Sequence, residues 1–227
     1  MIVVVGGIKG GSGKTTVATN LAVMRANTGH DVLLVDADDQ ETATDFTILR
    51  NERRDGGAGY TSIKLTGAAV RTQVVRLKEK YEDIVIDTGG RDTASQRAAL
   101  TVADILLVPF VPRSFDVWTL EKVVVLIEEM RPANPDLTAY TFLNRADSRG
   151  TDNDEAALAI KESPALTFLD CAIGTRKAFA NASAQGLSVS ELRPQDPKAT
   201  EEITSLYGYL FDIHKISTLE AGTEVTA

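Results

Sequence analysis

The sequence predicts an α/β protein, a mostly parallel twisted sheet with helices on both faces. Three observations lead there. Short, fully apolar, β-branched runs alternate with longer segments of helical period, the pattern of strands buried on both sides. A glycine-rich turn separates the first such run from the first helix. Polar clusters follow the apolar runs at residues 9–16, 36–40, 87–90 and 144–145. A parallel sheet gathers such clusters along the carboxyl ends of its strands, where ligands bind.

Taken in order, residues 2–5 (Ile-Val-Val-Val) form the first strand. Residues 14–27 follow as a helix with apolar positions at Val17, Leu21 and Met24, stopped by Gly29. A second buried strand spans 32–35. A helix over 42–51 then leads into a loop at 52–60, rich in Arg, Asp and Gly. A strand at 62–65 precedes a helix reaching about residue 80. Residues 83–86 are a further strand, closed by Asp87-Thr88-Gly89-Gly90, and 105–108 repeat the pattern before Pro109 and Pro112. A helix is expected over 116–130 and a strand over 137–143. Helices cover 154–162, 176–184 and 198–214, with short extended pieces near Ala172 and at 187–189. Residues 215–227 are polar and aperiodic, so a single domain is expected over 1–214 with a loose tail beyond it.

A chain of 227 residues, 43% hydrophobic and 25% charged, is large enough to bury a core without staples. Its net charge of −8 argues against wrapping nucleic acid over the whole surface, although a local basic patch remains open. The single cysteine, Cys171, excludes an internal disulfide and a cysteine metal cage, and is expected to be a small buried hydrophobe. No leader pattern and no bilayer-length apolar run is present, so a cytoplasmic protein is expected.

The stretch Ile8-Lys9-Gly10-Gly11-Ser12-Gly13-Lys14-Thr15-Thr16 carries the most chemistry. Placed between a strand and a helix, it reads as a P-loop, and the fold as that of a P-loop NTPase. Glycines let backbone N–H groups turn inward on phosphate oxygens, and the helix N-terminus adds its positive end. Lys14 would reach the terminal phosphates of ATP, and the Thr15 hydroxyl would bind Mg²⁺. Ile8 departs from the strict pattern, which has glycine there. Lys9, just before the double glycine, either reaches a phosphate held by a second subunit or is simply solvated. Asp36 and Asp38 lie on one side of an extended segment; beside the loop, one would hold a Mg²⁺-bound water and the other orient the attacking water. Asp87 ends an Ile-Val-Ile strand, the setting of a Mg²⁺ carboxylate. Gly89-Gly90 beyond it form a candidate switch for the γ-phosphate.

Together these residues resemble the deviant-Walker ATPases of the ParA/MinD group, and most of all the short ParA-type partition ATPases without an N-terminal helix-turn-helix domain. The resemblance rests on Lys-Gly-Gly-Ser-Gly-Lys-Thr-Thr at 9–16 and Asp-Ala-Asp-Asp-Gln at 36–40. Asp-Thr-Gly-Gly at 87–90, Pro-Arg-Ser-Phe-Asp-Val-Trp at 112–118, Leu-Asn-Arg at 143–145 and the segment 176–203 support it. It covers about residues 1–212. The resemblance implies a homodimer that traps two ATP molecules, with Lys9 reaching the partner's nucleotide. It also implies that Asp38 positions the hydrolytic water and that Asn144 meets the adenine edge. The ATP-bound dimer would bind DNA without sequence preference and associate with the nucleoid. A small ParB-like or adaptor partner would stimulate hydrolysis of ATP. Two departures from the family pattern are Thr-Gly-Gly-Arg after Asp87, where relatives often carry proline or alanine, and Asp39 in place of a common proline.

A MinD-like membrane cycle would need a basic amphipathic C-terminal helix, and residues 216–227 contain no Lys or Arg, so no membrane partner is expected. An iron–sulfur reductase would need more than one cysteine. A biotin-pathway type of ligase would need a substrate pocket that the sequence does not locate. Plasmid or chromosome partition is the favoured cargo, with positioning of a protein assembly, such as carboxysomes or chemoreceptor clusters, as the alternative. Candidate DNA contacts are Arg176, Lys177, Arg193 and Lys198, which flank the C-terminal helices.

Overall fold

The structure is a computed structural model that describes residues 1–112, 117–147 and 151–223. Seven strands, β1 (Ile2–Val5), β2 (Val32–Ala37), β3 (Thr61–Lys64), β4 (Asp83–Thr88), β5 (Ile105–Phe110), β6 (Thr138–Ala146) and β7 (Thr167–Gly174), form one sheet in the order β3-β2-β4-β1-β5-β6-β7. Every pairing is parallel. All four residues of β1 are buried. Ile2 and Val4 face one apolar layer while Val3 and Val5 face the other, the two-residue alternation of a strand covered on both sides.

Eight helices are described: α1 (Lys14–Asn27), α2 (Thr42–Arg53), α3 (Ala69–Leu77), α4 (Ala94–Leu100), α5 (Val117–Met130), α6 (Asp152–Lys161), α7 (Lys177–Ser183) and α8 (Pro197–Thr223). The layer holding Val4 is completed by Val70 and Val74 of α3, Leu100 of α4, Ile127 of α5 and Ile160 of α6. The layer holding Val3 is completed by Leu21 of α1, Phe179 of α7 and Ala199, Ile203, Leu206 and Leu210 of α8. The spacing of those four α8 residues marks a single helical stripe. The expected Cys171 burial is observed, and burial pushes its thiol up to about 12.

The structure departs from the sequence reading in three places. Helix α4 was not expected: it is short, and its start is set by Thr93, whose side chain accepts a hydrogen bond from the Gln96 N–H at 3.1 Å. Residues 187–189 form no strand: Ser188 is extended, but Val189 opens a 3-10 turn, Val189–Glu191, capped by Ser188 and Glu191. The expected loose tail from 215 is corrected as well, because α8 continues to Thr223. No proline or glycine interrupts residues 209–221, so nothing in the sequence there breaks the helix. Residues 113–116, part of the stretch that supports the family resemblance, lie outside the described residues, as do 224–227.

Candidate nucleotide site

The polar clusters that follow β1, β2, β4 and β6 line one open cavity of about 1000 Å³. Gly10, Gly11, Gly13, Lys14, Thr15 and Thr16 line it together with Asp38, Gly89–Arg91, Asn144 and Arg176. Gly13 opens α1 with φ 90°, and no side chain caps that helix. Its first-turn N–H groups are thereby left for an anion.

Lys14 is buried, and its Nζ donates to the Lys9 carbonyl oxygen at 2.8 Å. Burial lowers its pKa, with Asp87 and Asp38 pulling the other way. Ser12 Oγ donates to the same carbonyl at 3.3 Å. Lys9 is half-buried and is not among the residues that line this cavity. Asn144 donates through Nδ2 to the Ser12 carbonyl at 2.6 Å, and Arg145, with φ 56°, donates to the Gly11 carbonyl at 2.8 Å. The loop is therefore braced from β6 before any ligand arrives.

The two aspartates of the acidic turn are used differently. Asp36 is fully buried: Oδ1 accepts the Asp38 N–H at 3.1 Å, and Oδ2 accepts the Thr44 N–H at 2.8 Å and its hydroxyl at 2.7 Å. It fixes the turn. Asp38 is half-buried, lines the cavity and, among the described residues, accepts the Gln40 N–H through Oδ1 at 3.2 Å.

Asp87 lies fully buried at the end of β4, and neither carboxylate oxygen has a hydrogen-bond partner among the described residues. Burial pushes its pKa up to about 8; Asp36 and Asp38 add to this, while Thr15 and Lys14 oppose it. The Thr15 hydroxyl lowers the pKa without completing a hydrogen bond to either oxygen. An orphaned buried carboxylate beside the P-loop threonine fits a divalent cation. No group of three or more His, Cys, Asp or Glu forms a cage among the described residues. Mg²⁺ held jointly with substrate phosphates needs none.

The segment after β4 is packed against both neighbours. A Cβ on Gly90 would come within 2.5 Å of the Gly10 Cα, and one on Gly89 within 3.0 Å of Asp38 Oδ1. Gln96 of α4 binds this segment to the loop: its Oε1 accepts the Gly7 N–H and the Thr88 hydroxyl, both at 3.0 Å. The sequence reading overlooked Gln96, Thr44 and the brace from Arg145. Thr93-Ala-Ser-Gln96 is a capping-box pattern and carried the missed signal for α4.

The four candidate DNA contacts are not one group. Arg176 turns into the cavity wall and binds Glu202 of α8 bidentately, at 2.8 and 2.5 Å. Lys177, Arg193 and Lys198 are exposed, and Arg193 donates to the Leu192 carbonyl at 2.7 Å.

A parallel sheet with a phosphate loop after its central strand β1 and acidic residues at the ends of β2 and β4 defines a nucleotide-binding α/β domain. Residues 3–189 match the CobQ/CobB/MinD/ParA nucleotide binding domain, and the chain belongs to that family. Within it, the motifs are those of a ParA-type deviant-Walker ATPase. The chain is 27% identical over 204 residues to the maintenance of carboxysome distribution protein A of Halothiobacillus neapolitanus, covering 89% of this chain and 92% of that one. Its fold is shared with Cyanothece McdA in an ATP complex, with a TM-score of 0.75 and 21% identity over 92% of this chain and 95% of the other. A plasmid partition protein assigned as such in Borrelia burgdorferi B31, bound to AMPPNP, gives 0.71 and 18% over 95% and 98%. No helix among the described residues is long and apolar enough to cross a membrane.

Proposed function

We propose that this chain is a ParA-like switch ATPase that hydrolyses ATP, dimerises around it and in that state binds DNA without sequence preference. Repeated cycles would move a cargo over the nucleoid, with hydrolysis stimulated by a small ParB-like or adaptor partner. The observation that carries the reading is a single cavity lined by the P-loop, Asp38 and Asn144, with the buried Asp87 carboxylate close to Thr15 and Lys14. Gly10–Thr16 would cradle the phosphates and Asn144 would meet the adenine. Asp38, the less engaged acidic side chain, would orient the attacking water, while Asp36 holds the turn that presents it. Thr15 and Asp87 would hold Mg²⁺, which supplies charge neutralisation at the β- and γ-phosphates. Lys9 would reach the nucleotide of the partner subunit. Lys177, Arg193 and Lys198 are the cations retained for DNA, since Arg176 is engaged with Glu202.

Plasmid or chromosome partition is the main reading for cargo. The named role of the Halothiobacillus relative favours a second, the positioning of a protein assembly. Light scattering with ATP and with ADP tests the switch: a dimer with ATP and a monomer with ADP are expected, together with phosphate release and duplex DNA retention in ATP only. Lys9→Ala should abolish turnover while the monomer still binds ATP. Turnover at the wild-type rate in that variant would remove the cross-subunit role.

A further inference from the structure

We propose that Arg91 is a catalytic residue that contacts the γ-phosphate of the nucleotide bound by its own subunit. Building on the ATPase reading above, this adds a cation that the phosphate-loop motif does not contain.

Three observations converge on it. Arg91 is exposed, lines the cavity beside Asp38 and Gly90, and makes no hydrogen bond or ion pair among the described residues. Every other arginine lining the cavity is engaged, Arg145 on the Gly11 carbonyl and Arg176 on Glu202. The backbone on both sides of Arg91 is pinned. On one side Gly90 lies so close to Gly10 that a Cβ would meet its Cα at 2.5 Å. On the other, Asp92 accepts Arg97 Nε at 2.8 Å and Thr93 caps α4. Arg91 is thus an uncommitted cation whose backbone sits between Gly90 and Asp92 beside the phosphate loop.

The charge balance gives it work. Asp38 lines this cavity, Asp36 is buried two residues before it, and the buried Lys14 ammonium is drawn to Asp38. In hydrolysis the water oxygen bonds to the γ-phosphorus as the bond to the β–γ bridging oxygen breaks. The electron pair leaves with ADP, and phosphate and a proton are released. Negative charge builds on the bridging and γ oxygens, where a guanidinium stabilises it. ADP lacks the group that Arg91 would touch, so the same contact would distinguish ATP from ADP.

The test compares ATP and ADP affinity by calorimetry, and phosphate release at saturating ATP, for wild type, Arg91→Ala and Arg91→Lys. Arg91→Ala should weaken ATP about tenfold or more, leave ADP within about twofold and cut turnover by at least two orders of magnitude, with partial rescue by Lys. Thermal midpoints of the apo proteins should coincide. Equal losses for both nucleotides, or no loss for either, would overturn the assignment. So would loss of DNA retention alone with ATP affinity and turnover intact. A wild type that binds ATP without turnover would sink the ATPase reading, while the ATP-to-ADP comparison would still decide Arg91. Binding of neither nucleotide would overturn both.

Discussion

Asn144 packs directly on Gly13: a Cβ placed on Gly13 would lie 2.4 Å from Asn144 Nδ2, the atom that donates to the Ser12 carbonyl. With φ at 90° Gly13 tolerates no side chain in any case. Gly13→Ala should therefore displace the Asn144 brace and reshape the loop, weakening ATP at least tenfold in calorimetry. Asn144→Ala should cost about 1 kcal/mol of apo stability, the value of one buried hydrogen bond.

Gly90→Ala tests the packing of the switch on the loop. Its Cβ would press on backbone, at 2.5 Å from Gly10 Cα and 2.7 Å from Gly10 N, neither of which can rotate away. The expected outcome is a folded protein with turnover reduced about a hundredfold, measured by phosphate release, because a misplaced loop forfeits the alignment that phosphoryl transfer needs.

Asp87 sets a pH dependence. Its folded pKa is raised from 3.8 to about 8, first by burial. The folded state thus holds a proton that the unfolded state releases between those values. This contribution is full below about 3.8 and is lost as pH rises through about 8. Apo stability in Mg²⁺-free buffer should fall between pH 6 and 9 in wild type, and fall less in Asp87→Asn. A urea-denaturation series over that range reads it.

Glu191 works in the opposite sense. Burial alone would raise its pKa, but Arg50, Asn27 and the Ser188 N–H together hold it at about 2. Its stabilisation is present above the ordinary value of 4.5 and is lost as pH falls toward about 2. Arg50 is 1% exposed and donates to Glu191 and to the carbonyls of Ala58 and Gly186 at 2.8 Å. Glu191→Gln leaves that guanidinium without its counter-charge. It should destabilise the protein by about 3 kcal/mol near pH 7 in urea denaturation, and by less at pH 3.

The sequence made the sheet legible because its strands are apolar on both faces and bounded by polar turns. Helix α1 came out at its observed bounds, Lys14–Asn27, because a lysine–threonine start and Gly29 punctuate it. The phosphate loop was legible as a local motif. Helix α4 was not, since seven residues carry too little period to stand out, and the capping pair Thr93–Gln96 was its main mark. The commitment of Arg176 to Glu202, 26 residues away, was hidden for a different reason. Periodicity shows which face a residue takes, and long-range ion pairs depend on where two faces meet. The same holds for Asp36, whose partner Thr44 lies eight residues on, across the turn into α2.

The strand order has a consequence for synthesis. Residues Ile2–Val5 are made before either of their pairing partners, Ile84–Asp87 on one side and Ile105–Leu107 on the other. On a translating ribosome the central strand must wait, unpaired and wholly apolar, until Ile84–Asp87 has emerged. Slow, non-local pairing of this kind leaves it open to wrong association. Yield in recombinant expression should respond more to chaperone supply and growth temperature than to changes on the finished surface.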